Sequence, residues 1–146
     1  MKILSKFAFA LMMLIGVQAA AQETVIDQSR LPANAKDFVT KYFSDATVSH
    51  AVKDKGMVKT EYEVRLSDGS KLEFDGDGNW KEVESKTKSL SGMAFIPQSI
   101  RDYAAKNFPT YQIRKIEKSS RKYEVKLTNG LELEFDLNGK FLRIDD

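Results

Sequence analysis

Apolar residues recur along this chain with two distinct periods, and the periods alternate in blocks. Ala35, Phe38, Val39, Tyr42 and Phe43 fall at helical spacing and form one apolar stripe; Ile100, Tyr103, Ala104 and Phe108 form a second. Pro32 and Pro97 suit the first turn of each helix, where a missing N–H costs nothing, and Pro109 stops the second helix at once. Between and after these stripes the period becomes two. Tyr62, Val64 and Leu66 alternate with Glu61, Glu63 and Arg65, and Tyr123, Val125 and Leu127 alternate with Lys122, Glu124 and Lys126. Leu72/Phe74 and Leu133/Phe135 continue the alternation. One apolar and one polar face per strand predicts half-buried antiparallel strands, with the short helices packed on the apolar side because they cannot stand alone in water. Weaker patterns predict a first strand in each block over residues 47–52 and 111–117, and a last strand over 81–84 and 140–144.

The blocks are copies. Residues 60–80, TEYEVRLSDGSKLEFDGDGNW, realign with residues 121–141, RKYEVKLTNGLELEFDLNGKF, at an offset of 61. The predicted fold is therefore α+β: two tandem α-β-β-β-β repeats forming antiparallel sheet with helices on one face. The boundaries are 1–21 as a signal peptide, 22–30 as an N-terminal tail, 31–84 as repeat 1, 85–95 as a polar surface linker and 96–146 as repeat 2.

Turn chemistry fixes an expected register. Three-residue loops at Ser67-Asp68-Gly69 and Thr128-Asn129-Gly130, each with glycine at its left-handed third position, set Val125 opposite Leu133 and Tyr123 opposite Phe135. Two-residue loops at Asp77-Gly78 and Asn138-Gly139 would follow. They set Leu72 opposite Val83, Leu133 opposite Ile144 and Phe135 opposite Leu142. They also put Trp80 opposite Asp75 and Phe141 opposite Asp136, on the polar face. That face then carries Trp80, Phe141, Glu73, Glu82, Glu134 and Arg143 as candidate binding residues, beside Glu63, Arg65, Lys71, Glu124, Lys126 and Glu132.

The ends of the chain set the compartment. Lys2 and Lys6 precede an apolar run, residues 7–17, too short to span a bilayer, and Ala19-Ala20-Ala21 offers a cleavage site. This predicts export to the periplasm through a signal peptide. With no cysteine in the chain there is no lipidation motif of the lipoprotein kind and no disulfide, so the mature protein is expected free of the membrane and held by its core alone. Loss of residues 1–21 leaves 21 basic against 21 acidic residues. A neutral chain of interspersed signs gives no general attraction to nucleic acid.

Candidate chemistry is sparse. Asp75, Asp77 and Asn79 begin like a calcium loop, but Trp80 stands where that loop needs glycine, and Lys86 where it needs a carboxylate. They are weak metal candidates beside a plain turn reading. His50 is the sole histidine, which excludes multi-histidine metal sites. No nucleophile–base pair, phosphate loop or basic stripe occurs, so neither an enzyme nor a cofactor is expected.

These units resemble the PepSY-like, β-lactamase-inhibitor-like family of secreted proteins of Gram-negative anaerobes. The likeness rests on the Leu31-Pro32 helix start, the run Tyr62 to Leu66 with Asp68-Gly69, Phe74-Asp75 with Gly78, and their second-copy counterparts. It covers residues 31–144 and implies helices on one side of an antiparallel sheet, as in β-lactamase inhibitory protein. It implies no activity and no site residue, since fold alone does not give function. The expected function is a non-enzymatic periplasmic binding module that recognises a protein or peptide through the open sheet face. The alternative is a small-ligand or calcium-responsive envelope protein.

Overall fold

The computed structural model describes residues 22–145; the expected signal peptide and Asp146 lie outside them. Nine strands form one sheet: β1 (Gln22–Val25), β2 (Val48–Lys55), β3 (Thr60–Leu66), β4 (Lys71–Asp75), β5 (Trp80–Glu84), β6 (Ile113–Lys118), β7 (Lys122–Leu127), β8 (Glu132–Asp136) and β9 (Phe141–Asp145). The two helices are α1 (Ala33–Tyr42), which precedes β2, and α2 (Gln98–Asn107), which precedes β6. Spatial order follows chain order without a crossover, β1 to β9, and every pairing is antiparallel. No helix of the described residues is long and apolar enough to cross a membrane.

Both helices lie on the same face, as the alternation requires. Phe38 of α1 meets Phe74 edge-on at 5.6 Å, and Tyr103 of α2 meets Phe135 at 5.5 Å. Val64, Leu72, Phe74, Val83, Ile116, Val125, Leu133 and Phe135 supply the sheet side of the core and are fully buried. Pro32 and Pro97 stand one residue ahead of their helices as N-caps.

The register through the first turn of each block is as the glycines dictate. Val64 pairs with Leu72, Val125 with Leu133 and Tyr123 with Phe135. Gly69 and Gly130 adopt φ +88° and +91°, the left-handed values their turns need. The second turns differ from the expectation. Asp75 N–H donates to the Asn79 carbonyl and Gly78 N–H to the Asp75 carbonyl, at 2.8 and 3.0 Å, which closes a three-residue loop. Asp136, Lys140 and Gly139 repeat this at 2.8 and 2.9 Å. The cause is a side chain: Asp75 Oδ1 accepts from both Asp77 N–H and Asn79 N–H at 2.9 Å, and Asp136 Oδ1 does the same for Asn138 and Lys140. A β-bulge follows at once, between Glu73 and Phe74 in one ladder and between Glu134 and Phe135 in the other. Beyond the bulge the expected pairs hold, Leu72 with Val83 and Leu133 with Ile144; before it they do not.

Two further segments depart from the sequence reading. Residues 22–25 are not a loose tail; they pair with β2 and cover its outer edge, Val25 opposite Val52. Residues 85–95 do not simply skirt the surface. Leu90 is fully buried, and the Phe95 ring packs on Phe38, Tyr42 and Trp80 at 4.9–5.2 Å. A polar composition hid two apolar anchors that seal the join between the halves.

Candidate binding face

The bulges move the two aromatic candidates. Trp80 pairs with Phe74 and Phe141 with Phe135, so both face the helices rather than the polar side. Trp80 packs against Phe95 at 5.2 Å and Tyr123 at 6.3 Å; Phe141 stacks on Tyr103 at 4.3 Å. The proposed aromatic binding anchors are partly buried residues packed against the core on the helix side. Trp80 keeps one partly exposed edge, on a cleft of about 780 Å³ at the end of the sheet, walled by Asn34, Phe38, Asp75, Lys118 and Ser119.

The other four candidates do come together, in a larger arrangement than their sequence positions suggest. Successive register pairs place Glu63 beside Glu73, Glu73 beside Glu82, Glu82 beside Glu117, Glu117 beside Glu124 and Glu124 beside Glu134, with Arg143 ending the row. Adjacent strands stand about 4.8 Å apart, so six carboxylates line up across β3 to β8 on the face the helices leave uncovered. Like charges directly opposite one another repel. The row holds because lysines and arginines from the neighbouring positions reach into it.

Those cations meet neighbouring carboxylates along the row. Arg65 Nε binds Glu63 at 2.8 Å. Lys71 lies 3.2 Å from Glu73 and 3.5 Å from Glu82, while Lys115 binds Glu82 at 2.8 Å and lies 3.6 Å from Glu84. Lys122 bridges Glu124 and Glu134 at 2.8 and 2.7 Å, and Arg143 binds the other oxygen of Glu134 at 2.9 Å. Glu63, Glu82 and Glu134 are only 5%, 6% and 1% exposed on the face the helices leave uncovered.

Burial and crowding shift the acids in opposite directions. Burial first, and then the Glu82 charge, push the Glu73 carboxyl up to about 7, against the partial relief that Lys71 gives. Burial would raise Glu82 as well, but the hydrogen bond and charge of Lys115, with Lys71 behind them, hold it below the usual carboxylate range. The proton of this pair therefore belongs to Glu73. Lys71 and Lys115 are raised despite their burial, by the carboxylates around them. Farther along the face, burial raises Asp54 and Glu23.

Asp75, Asp77 and Asn79 form the capped turn already described, with the Asp75 carboxylate occupied by backbone N–H groups. A different group has the closer metal-like geometry: Glu124, Glu134 and Asp145 can bring one carboxylate oxygen each within 4.8 Å of one another. Sequence reasoning missed Glu117 in the row, because the pairing of β5 with β6 crosses the long linker and β6 carries its own bulge between Ile113 and Lys115. His50 stands exposed opposite Arg65, at the margin of this face.

Residues 60–143 match the model of the family described as "Putative beta-lactamase-inhibitor-like, PepSY-like". The chain belongs to this family. It is also similar in structure to three solved proteins of Bacteroides. One, from Bacteroides thetaiotaomicron, is described as a "putative calcium-regulated periplasmic protein"; it is 38% identical, with TM-score 0.81, over 85% of this chain and 97% of that one. Two from Bacteroides vulgatus are described as "putative periplasmic" proteins, one of them of unknown function. They are 35% and 38% identical, each with TM-score 0.81, over 86% of this chain and 98% and 100% of theirs. No curated protein matches the chain.

Proposed function

We propose that this protein is a non-enzymatic, periplasmic binding module that recognises a protein or peptide through the open face of its sheet. One observation carries the reading: helices cover one face of the sheet, while the other presents an unbroken row of six glutamates, Glu63 to Glu134, interleaved with cations. A sheet face of interleaved charge suits a partner of complementary charge pattern, for which such patterns set association rate and selectivity more than raw affinity. The loss of Trp80 and Phe141 from this face removes its aromatic anchors, so charge pairing must select the partner there. The expected signal peptide and the periplasmic descriptions of the structural neighbours support the location.

The test is capture from periplasmic extract by the immobilised mature protein, followed by titration of the identified partner. Lys126→Glu and Glu84→Lys should each weaken that partner at low salt, with the fold unchanged by circular dichroism. Undiminished binding by both variants would remove the open face as the recognition surface.

A second reading is calcium response. The Glu124, Glu134 and Asp145 carboxylates and the description of the Bacteroides thetaiotaomicron neighbour favour it. Lys122 and Arg143 already neutralise Glu134, so calcium would have to displace a cation, which favours weak binding. Calorimetry with calcium decides it: heat that vanishes in Glu124→Gln supports the site, and no heat at millimolar calcium rejects it.

A further inference from the structure

We infer that β9 is a docking edge for a second copy of this chain, through an antiparallel, two-fold pairing centred on Ile144. The inference starts from a contrast between the last strands of the two halves. β5 and β9 each close a helix-plus-four-strand run, and Val83 and Ile144 hold the same place in them, opposite Leu72 and Leu133. Val83 is fully buried, with Ile116 of β6 across the next ladder. Ile144 is 44% exposed, and β9 ends the sheet. A strand edge with an exposed apolar residue and unused backbone N–H and C=O groups is a template for another strand.

The occupant follows from the pattern along β9. Centring the two-fold on Ile144 places Ile144 against its own copy on the helix face, and Arg143 against Asp145 of the second copy, twice over, on the open face. Facing residues then share a face, as antiparallel pairing demands. The same pattern joins the two halves within the chain. There the β5–β6 ladder spans three pairs: Val83 with Ile116, the like-charged Glu82 with Glu117, and Glu84 with Lys115. The dimer ladder has the same length, with two opposite-charge pairs where the internal one has one. It also brings a second arginine beside Asp145, whose carboxylate crowds those of Glu124 and Glu134. Arg143 is 61% exposed while bound to Glu134, so it can serve a second carboxylate without leaving the first. The opposite edge offers no equivalent: β1 carries a single exposed apolar residue, Val25, and it points to the open face opposite Val52.

The chain has no cysteine, which makes the pairing directly testable. In the two-fold register the Ile144 Cα atoms of the two copies stand about 4.5–5.5 Å apart, within disulfide span. Ile144→Cys in the mature protein should oxidise to a covalent dimer about tenfold faster or more than Val25→Cys, since docking raises the local thiol concentration. Ile144→Lys should abolish the concentration-dependent dimer of the wild type in sedimentation equilibrium, with circular dichroism unchanged. A wild type that stays monomeric at all concentrations, or equal cross-linking at residues 25 and 144, overturns the proposal.

Discussion

Trp80 stands directly across the β4–β5 ladder from Phe74, on the helix side of the sheet. A single bulge residue, Lys81, makes this possible. It is passed over in the ladder, turns to the open face and binds Glu61 at 2.6 Å. Trp80→Ala should therefore behave as a core truncation and lose about 3 kcal/mol, near the value for Phe74→Ala, for which about 3–5 kcal/mol is expected. Urea melts of the two variants compare them directly. A loss below roughly 1 kcal/mol for Trp80→Ala would mean that the tryptophan does not seal the join.

The buried row predicts a pH dependence. Folded Glu73 keeps its proton up to about 7, whereas the unfolded chain releases it near 4.5. Between those values the folded state binds more protons, so stability falls as pH rises through that window. Asp54 and Glu23, also raised, act in the same sense. Chemical denaturation at pH 5 and pH 8 should show the native protein less stable at pH 8. Glu73→Gln should flatten that slope and raise stability at pH 8.

Glu134 is the most deeply buried acid of the row and depends on two cations. Lys122→Met removes one of them from a desolvated carboxylate; the expected loss is about 3 kcal/mol. Pairing it with Glu134→Gln should recover most of that loss, since the most deeply buried carboxylate of the row is then uncharged. A double mutant no better than the single would show that Lys122 acts by packing rather than by charge.

Two glycines with the same backbone conformation should respond differently to alanine. At Gly130, φ +91°, an added Cβ meets nothing, so only the left-handed strain of about 1–2 kcal/mol applies. At Gly78, φ +86°, it would sit 2.8 Å from Pro32 Cβ and 2.9 Å from the Ala35 nitrogen. Gly78→Ala should cost roughly 2–5 kcal/mol, because the start of α1 must move as well. Thermal melts of both variants test this.

Much of the fold was legible because period-two alternation and turn glycines constrain the same register independently. The glycine turns set Val64 opposite Leu72 and Tyr123 opposite Phe135, and alternation puts each pair on one face. What escaped lies where side chains override backbone preference. The Asp75 and Asp136 carboxylates extend their turns by one residue, and the bulge that follows reverses the facing of Trp80 and Phe141. Glu73, Glu82, Glu134 and Arg143 were legible as one face, because alternation alone assigns them to it. Glu117 was not, because no local rule gives the pairing of strands separated by a helix. β1 was hidden for the same reason: Gln22–Val25 is a short polar run whose strand character comes from the β2 edge it covers.

The unbroken order β1 to β9 has a bearing on how the chain can be made. Among the described strands, from β2 onward each finds a partner in the strand synthesised just before it, and β1 alone waits for a later one. A polypeptide threaded through a translocon with its N-terminal end first could add strands one at a time as they emerge, each completed ladder serving as the edge for the next. Short-range pairing of this kind favours rapid folding, and with no thiols to be matched, nothing in the assembly depends on an oxidising catalyst.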